Sequence, residues 1–286
     1  MKFVTSENGP SETQATTSLA VGGMSADASW LKRHVVLVKS AASGSESQAV
    51  QWADQIARSA GLRLRVMYCA PVTANELADS AGIEIMVEHI LREAAQEDVE
   101  LLVIDGLPSE RGAEQAAMAQ SLLRRCQRPI LFVGSRAGRP LVMAATDCSD
   151  PALPVLRVAW QMAAVTGNQI VLVHNIDQLG SQFAERIGMP LSPELADVLA
   201  LRSREWLENA AAVGDVLITR DISNAQGVLN AAQRVDCSLL VVGVKPADQA
   251  PHGTALQILL RCQSSLLLVP LARTTRPLDS TPAVQN

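Results

Sequence analysis

Polar residues and glycines follow apolar runs at three places in the second half of the chain. Residues 146–150 (TDCSD) come directly after one run, and Asn175 closes a second. Gly243 lies near the end of a third run, and Gly253-Thr254 stands shortly after it. In an open parallel sheet, ligands bind beyond the carboxyl ends of the strands, where the strand order reverses. If the apolar runs are neighbouring parallel strands, this spacing predicts a small-ligand site.

The ionisable residues do not form a pattern typical of a catalyst or a metal centre. The histidines are scattered and lack ligand spacing, at positions His34, His89, His174 and His252. His174 and Asp177 are a candidate pair, but a histidine at the end of a strand more often closes a hydrogen bond. The sequence predicts no catalytic residue and no metal site, and it favours a binding or regulatory protein over an enzyme.

Composition excludes several classes of partner. Lys and Arg number 24 and Asp and Glu 29, giving a formal charge of -5, whereas a nucleic-acid binder needs a basic face. Aromatic residues make up only 3% of the chain, too few for base-stacking platforms. The basic cluster 124–128 falls at the end of a predicted helix, where positive charge offsets the helix dipole. We therefore expect no nucleic-acid partner.

The cysteines indicate a reducing compartment. There are five, an odd number without a CxxC pair, at Cys69, Cys126, Cys148, Cys237 and Cys262. Cys148 could sense oxidants at the predicted site, or it could be inert. Nothing near it in the sequence indicates a lowered pKa of its thiol, which favours an inert cysteine. Cys126 and Cys262 each precede an apolar strand, which predicts buried packing.

The ends of the chain carry neither an export signal nor an anchor in this interpretation. Residues 1–31 lack the apolar core of a signal peptide, and no apolar run approaches the roughly 18 residues that span a membrane. Residues 1–31 and 273–286 are rich in small and polar residues, which predicts disordered tails. The expected location is the cytoplasm.

An internal repeat organises the chain. Apolar runs, loops and helices recur at offsets of 106, then 138, then 136 residues, as in the pairs Val35–Met67 with Leu141–Val173, Leu101–Ile104 with Leu239–Val242, and Cys126–Gln127 with Cys262–Gln263. The increase from 106 to 138 predicts an extra helix in the second copy, from Pro193 to Ala212. The repeat predicts domains at 32–135 and 140–272, joined by a linker at 134–140.

Each copy alternates strands and helices. The strands are continuous apolar runs, as in strands covered on both faces. The first helix of each copy has one apolar stripe, carried by Ala49, Trp52, Ala53, Ile56, Ala57 and Ala60 in copy one and by Val155, Val158, Ala159, Met162 and Ala163 in copy two. Alternation of this kind predicts two α/β domains with doubly wound parallel sheets. Arg63 and Arg65 alternate with apolar residues and predict a sheet edge or a wet face.

Residues 33–272 resemble the universal stress protein family. The turn TDCS at 146–149, the run VLVHNID at 171–177 and the glycine Gly243 carry the resemblance, and the segment LLRRCQRP at 122–129 looks most like the tandem E-type members. The resemblance implies that both domains have the flavodoxin-like fold, in its adenine nucleotide alpha hydrolase-like variant. It also implies an internal pseudo-dimer in which 130–133 pairs with 266–269 across a local two-fold axis.

The resemblance further implies how an adenine nucleotide such as ATP would bind in the second domain. Asp147 would hold adenine, and a backbone group near Asn175 would contact it. Gly243, Gly253 and Thr254 would belong to a loop of the form G-x2-G-x9-G-[ST] that cradles phosphates. The chain departs from this pattern, because Pro246 occupies the second glycine position, Asp248 adds negative charge and the spacing from Gly243 to Gly253 is too short. We interpret the nucleotide loop as degenerate.

The first copy departs further from the nucleotide-binding pattern. At an offset of 106, Ala41 corresponds to Asp147 and Ser43 to Ser149, and at an offset of 138 Asp105 corresponds to Gly243. Gly106 and Gly112 remain, but no Gly-Ser or Gly-Thr follows them. The first copy is therefore predicted to be a degenerate partner without a nucleotide site.

Three functions fit the sequence. The first is a stress-response binding and regulatory protein that acts through unidentified protein partners and responds to a small ligand. The second is an ATP-binding switch with slow hydrolysis in the second domain. The third is a protein that binds a lipid-like ligand in the place of nucleotide. The pseudo-dimer could associate further into a homodimer.

Overall fold

The computed structural model describes residues 34–40, 47–69, 80–96, 98–148, 152–176, 197, 201, 205, 215–221, 223–244 and 253–271. Its elements divide into a first half and a second half. The first half contains β1 (His34–Ser40), α1 (Gln48–Ala60), β2 (Arg63–Cys69), α2 (Ser80–Ala94), β3 (Val99–Asp105), α3 (Pro108–Arg111), α4 (Ala113–Arg125) and β4 (Ile130–Val133).

The second half repeats this rhythm with one more strand. It contains β5 (Arg139–Ala145), α5 (Leu153–Thr166), β6 (Gln169–Asn175), β7 (Asp215–Thr219), α6 (Asn224–Val235), β8 (Cys237–Val244), α7 (Thr254–Arg261) and β9 (Ser265–Pro270). No helix in the described part of the chain is both long enough and apolar enough to cross a membrane.

The described strands form one nine-stranded sheet in the order β2-β1-β3-β4-β9-β8-β5-β6-β7. Neighbouring strands within each half are parallel, and only the pairing of β4 with β9 is antiparallel. Its register places Ile130 opposite Leu268, Leu131 opposite Leu267 and Phe132 opposite Leu266. We call this pairing the seam. It agrees with the expected two-fold pairing and with the predicted α/β class.

The helices cover both faces of the sheet, which explains the continuous apolar strands. α1 and α5 pack on one face, and α2, α4, α6 and α7 pack on the other. The buried helix residues include most of the two predicted stripes, among them Ile56 and Met162. Each apolar layer continues through the seam, because Phe132 and Leu266 join one layer and Leu131 and Leu267 join the other. The two halves therefore share their cores.

The first helices of the two halves end in the same way. Gly61 follows α1 with φ 66° and Gly167 follows α5 with φ 69°, both in the left-handed region. Each glycine N–H turns back to carbonyls of the last helical turn, which glycine allows because it has no Cβ. This equivalence supports the repeat in the region where its offset is 106.

The structure changes one part of the predicted repeat. β1 pairs with β2 so that Val35 lies opposite Leu64, whereas in the second half Val142 lies opposite Ile170. β1 is therefore offset from its equivalent β5 by one residue more than β2 is offset from its equivalent β6. Ser40, not Ala41, is the equivalent of Asp147, and the prediction for Ala41 is wrong. Continuous apolar runs, Val35–Val38 in β1 and Leu141–Ala145 in β5, concealed this shift, since no alternation marks which side chains share a face.

Three further predictions concern the borders of the halves. β2 is an edge strand, as Arg63 and Arg65 indicated. The predicted linker is shorter, because Arg139 and Pro140 already belong to β5. The extra segment in the second half adds strand β7 as well as helical residues, of which Asp197, Leu201 and Glu205 are described. The rest of the predicted helix 193–212 lies outside the described residues.

Candidate functional site at the carboxyl edge of the second half

The strand order reverses between β5 and β8. The chain leaves β5 for α5 on one face and then β6, whereas it leaves β8 for α7 on the opposite face and then β9. Because β5 and β8 are parallel neighbours, the loops that follow them diverge at the same edge of the sheet. This is the position where ligands bind in open α/β sheets. We call it the carboxyl edge of the second half.

A tight turn presents Asp147 at this edge. The Cys148 N–H donates a 3.0 Å hydrogen bond to Thr146 Oγ1, and Cys148 adopts a left-handed φ of 56°. Thr146 is buried and Asp147 between them is exposed. The turn places a carboxylate in solvent directly after the central strand, where it can accept hydrogen bonds from a ligand.

His174 supports the same turn from β6. Its Nδ1 lies 2.9 Å from the Thr146 carbonyl oxygen. A carbonyl only accepts hydrogen bonds, so Nδ1 carries the proton, and in the neutral ring Nε2 holds the lone pair. The prediction that His174 closes a hydrogen bond is confirmed, and the residue fixes the backbone that carries Asp147.

Asn175 has a structural role that the sequence did not indicate. Its side chain is 6% exposed, and Oδ1 accepts hydrogen bonds from Thr219 Oγ1 at 2.8 Å and from the Asp221 N–H at 2.9 Å. Its Nδ2 donates to Asn224 Oδ1 at 3.2 Å. These bonds join β6 to β7 and to the start of α6. The Asn175 side chain is therefore occupied by hydrogen bonds within the fold. A ligand contact at this position would have to come from a backbone group, which is the kind of contact that the resemblance implied.

Gly227 makes this arrangement possible. A Cβ built on Gly227 would lie 2.2 Å from Asn175 Oδ1 and 2.4 Å from its Cγ. A glycine inside an amphipathic helix costs helical stability, so it often marks a close approach of this kind. Gly227 was the one sequence signal that could have revealed the role of Asn175.

Gly243 allows the close packing of β8. A Cβ there would lie 2.8 Å from Val155 Cγ2 and 3.0 Å from Leu271 Cδ1. The missing side chain lets the start of α5 and the end of β9 approach the carboxyl end of β8. Gly243 thus lies at the carboxyl edge as predicted, and it has a packing role there.

Gly253 and Thr254 begin α7 as predicted. Gly253 is the N-cap residue with extended φ and ψ of -61° and 145°, and Thr254 is the first helical residue. The first turn of α7 contains no acidic residue. Unpaired N–H groups and the positive end of the helix dipole favour an anion at such a start. The predictions for Pro246, Asp248 and the rest of 245–252 lie outside the described residues.

The equivalent edge of the first half is filled. Asp105 ends β3 at the place of Gly243 and is 9% exposed, and Leu107 beyond it is fully buried. Gly106 turns the chain with φ 97° into α3. Residues 41–46, which include Ser43, lie outside the described residues. The first half thus has a buried carboxylate where the second half has Gly243.

The repeated cysteines are buried, as predicted. Cys126 Sγ donates to the Arg128 carbonyl at 3.6 Å, and Cys262 Sγ donates to the Ser264 carbonyl at 3.2 Å. Each thiol closes the turn before the last strand of its half. Burial raises the pKa of Cys126, and it raises the pKa of Cys262 to about 12. Both thiols stay protonated and unreactive near neutral pH.

The basic cluster of the first half binds its own helices. Arg125 forms ion pairs with Glu84 and Glu88 of α2. Arg128 donates to the carbonyls of Ala94 and Gln96, each at 3.4 Å. The basic cluster therefore contacts the carboxyl end of α2 as well as lying at the carboxyl end of α4. In the described part of the chain, no group of three His, Cys, Asp or Glu side chains could hold a metal ion.

Comparisons with solved structures support the fold. A functionally unknown protein from Pseudomonas aeruginosa PAO1 is 15% identical, and the match covers 85% of this chain and 94% of that one with a TM-score of 0.56. A universal stress protein from Archaeoglobus fulgidus DSM 4304 is 14% identical, with 83% and 97% of the two chains covered and a TM-score of 0.52. At such low identity, these matches show that the fold is shared.

Comparison at the level of sequence assigns the second half. No curated protein matches the sequence. Residues 140–270 match the universal stress protein family. That range runs from the second residue of β5 to the last residue of β9, so it contains the carboxyl edge with Asp147, Gly243 and Gly253. The second half is therefore the part of the chain that is similar to the universal stress protein family.

Proposed function

We propose that this chain is a regulatory binding protein of the stress response, with its ligand site at the carboxyl edge of the second half. The difference between the two edges carries the proposal. The second half has a glycine at the end of β8 and a helix start without acidic residues. At the equivalent edge of the first half, Asp105 and Leu107 are buried. Ligand binding in one half of a shared core can alter the surface offered to protein partners.

The chemistry of the edge favours a ligand with an anionic end and a hydrogen-bond donor at the other end. The start of α7 offers backbone N–H groups and the positive end of a helix dipole. The exposed carboxylate of Asp147 accepts hydrogen bonds, as from an exocyclic amine. An adenine nucleotide such as ATP has both ends, so a nucleotide-dependent switch with slow hydrolysis is the second candidate function.

The first experiment identifies the ligand. Protein purified directly from cells is denatured, and the released small molecules are analysed by mass spectrometry. An adenine nucleotide at near one molecule per chain supports the second candidate, whereas a released lipid supports the lipid-like alternative. If nothing is released and millimolar ATP produces no thermal shift, the nucleotide switch is refuted.

A pair of variants tests the location of the site. Asp147→Ala should lose the ligand found in the first experiment. Asp215→Ala is the matched control, because Asp215 is also exposed but begins β7 at the opposite end of the sheet. Equal ligand binding by both variants would refute the carboxyl edge as the site.

A further inference from the structure

The connection between β3 and α4 crosses from the first half to the second. After Gly106, Leu107 enters the apolar layer and is fully buried. The four-residue helix α3 then packs against α7 of the second half. At the corresponding place in the second half, the end of β8 leads towards the predicted ligand loop. The first half therefore has a contact between the halves at the place that corresponds to the predicted ligand loop of the second half.

Hydrogen bonds fix this connection to both halves. Ser109 Oγ donates to the Cys262 carbonyl at 2.7 Å. Cys262 is the C-cap of α7, where carbonyls lack partners within the helix. On the other side, Glu110 Oε1 accepts from the Ser135 N–H at 3.0 Å and from Ser135 Oγ at 2.8 Å. α3 is therefore held between the end of β4 and the end of α7.

The packing at this junction leaves no spare room. A Cβ on Gly134 would lie 2.7 Å from Leu107 Cδ1 and 3.3 Å from the Gln263 carbonyl oxygen. The Gly134 N–H also donates to Ser265 Oγ at 3.2 Å, across the seam. Glycine at 134 thus lets the backbone after β4 lie close to both Leu107 and the segment that joins α7 to β9.

We propose that residues 106–112 act as a strut by which the first half holds the carboxyl end of α7. α7 has eight residues, so fixing one end restricts the orientation of the whole helix. Its other end begins at Gly253 and Thr254, which belong to the ligand site under the proposed function. In place of a ligand site, the first half thus has a contact that controls the local stability of α7, the helix that the ligand site of the second half requires.

The rate of cysteine alkylation in the native protein tests the strut. Ser109→Ala removes the hydrogen bond to Cys262 and should accelerate alkylation of Cys262 by iodoacetamide about fivefold, the effect of one hydrogen bond on a local opening. Cys126 is a built-in control, because it is the buried equivalent in the first half and should keep its rate. Peptide mass spectrometry measures both rates in one sample, with Ser59→Ala on the exposed surface of α1 as the matched variant.

Each outcome bears on the strut. Faster alkylation of Cys262 alone supports it, equal acceleration of Cys126 and Cys262 indicates general destabilisation and overturns it, and no change also overturns it. A separate ATP titration tests the link to ligand binding, in which Ser109→Ala should weaken affinity by a similar factor. If the wild-type protein does not bind ATP, the nucleotide candidate fails while the alkylation result still decides the strut.

Discussion

The two halves have nearly the same scaffold and different carboxyl edges. In both, the first helix ends at a left-handed glycine and a buried thiol closes the last turn. At the edge, however, the first half has the buried carboxylate of Asp105 where the second half has Gly243, and the first turn of α7 in the second half contains no acidic residue. Packing requirements that do not depend on a ligand can therefore keep the scaffold the same in the two halves.

The shared core explains why the first half is retained. Each apolar layer runs through the seam, so removing one half would expose the apolar strand edge and face of the other. Among the described residues, the first half has no counterpart of the outer strand β7, and β2 forms the edge of the sheet there. Structural support requires β4 and its helices, whereas the proposed ligand site requires the loops at the carboxyl edge.

The largest effect is expected at the seam. Phe132→Ala should lower the free energy of unfolding by about 3–5 kcal/mol, because a fully buried aromatic side chain is lost from a shared layer. Val66→Ala at the edge strand is the control, and since Val66 is 39% exposed it should cost less than about 1 kcal/mol. Denaturant unfolding measures both. Calorimetry should show one transition for both halves, and two separate transitions would contradict the shared core.

A second effect should be confined to the second half. Gly227→Ala should cost about 2–3 kcal/mol, because the new methyl group displaces the buried Asn175 side chain from its hydrogen bonds. In the double variant Gly227→Ala/Asn175→Ala the two costs should be less than additive, since the side chain that blocks the methyl is gone. Urea unfolding of the four proteins gives the coupling energy. Strict additivity would show that the two residues do not interact.

A third effect appears only at alkaline pH. Burial raises the pKa of Cys237 to about 11 and of Cys262 to about 12, from an ordinary value of 9.0. The unfolded chain releases these protons first, so stability should be full below pH 9 and should fall as pH rises from 9 towards 12, by at most about 1.4 kcal/mol per pH unit for each thiol. Cys262→Ala should flatten this slope in denaturant titrations from pH 8 to 11. An unchanged slope would contradict the assignment.

The smallest effects should be equal in the two halves. Gly61→Ala and Gly167→Ala should each cost about 1 kcal/mol, because a Cβ at either position contacts no other atom within 4 Å and only the left-handed backbone is strained. Thermal unfolding of the two variants makes the comparison. A clear inequality would show that the helix ends are not equivalent.

The sequence predicted the parts of the fold that depend on periodicity. Apolar stripes located α1 and α5, continuous apolar runs indicated a covered parallel sheet, and Arg63 and Arg65 indicated its edge. The register between β1 and β5 was misassigned by one residue, since a run without alternation does not reveal which side chains share a face. The extra length of the second copy was ascribed to one helix at 193–212, although it also includes the strand β7 at Asp215–Thr219, because a short apolar run does not reveal whether it forms a strand or a helix.

The candidate site was predicted only in outline. The start of α7 at Gly253 and the turn at Asp147 follow from local rules for caps and strand ends. The engagement of the Asn175 side chain depends on residues more than forty positions away, and the contact of Ser109 with Cys262 spans 153 positions. Such contacts arise from the tertiary arrangement, and local spacing carries no information about them.

The order of synthesis follows from the pairing of β4 with β9. β4 leaves the ribosome long before β9, which is the last strand of the described chain, so the nascent first half carries an unpaired apolar strand while the second half is being made. An exposed edge of this kind promotes association with other chains. Translation that stops before residue 265 should therefore yield an aggregation-prone fragment, and the newly made chain has the greatest need of chaperones in the interval before β9 has been made.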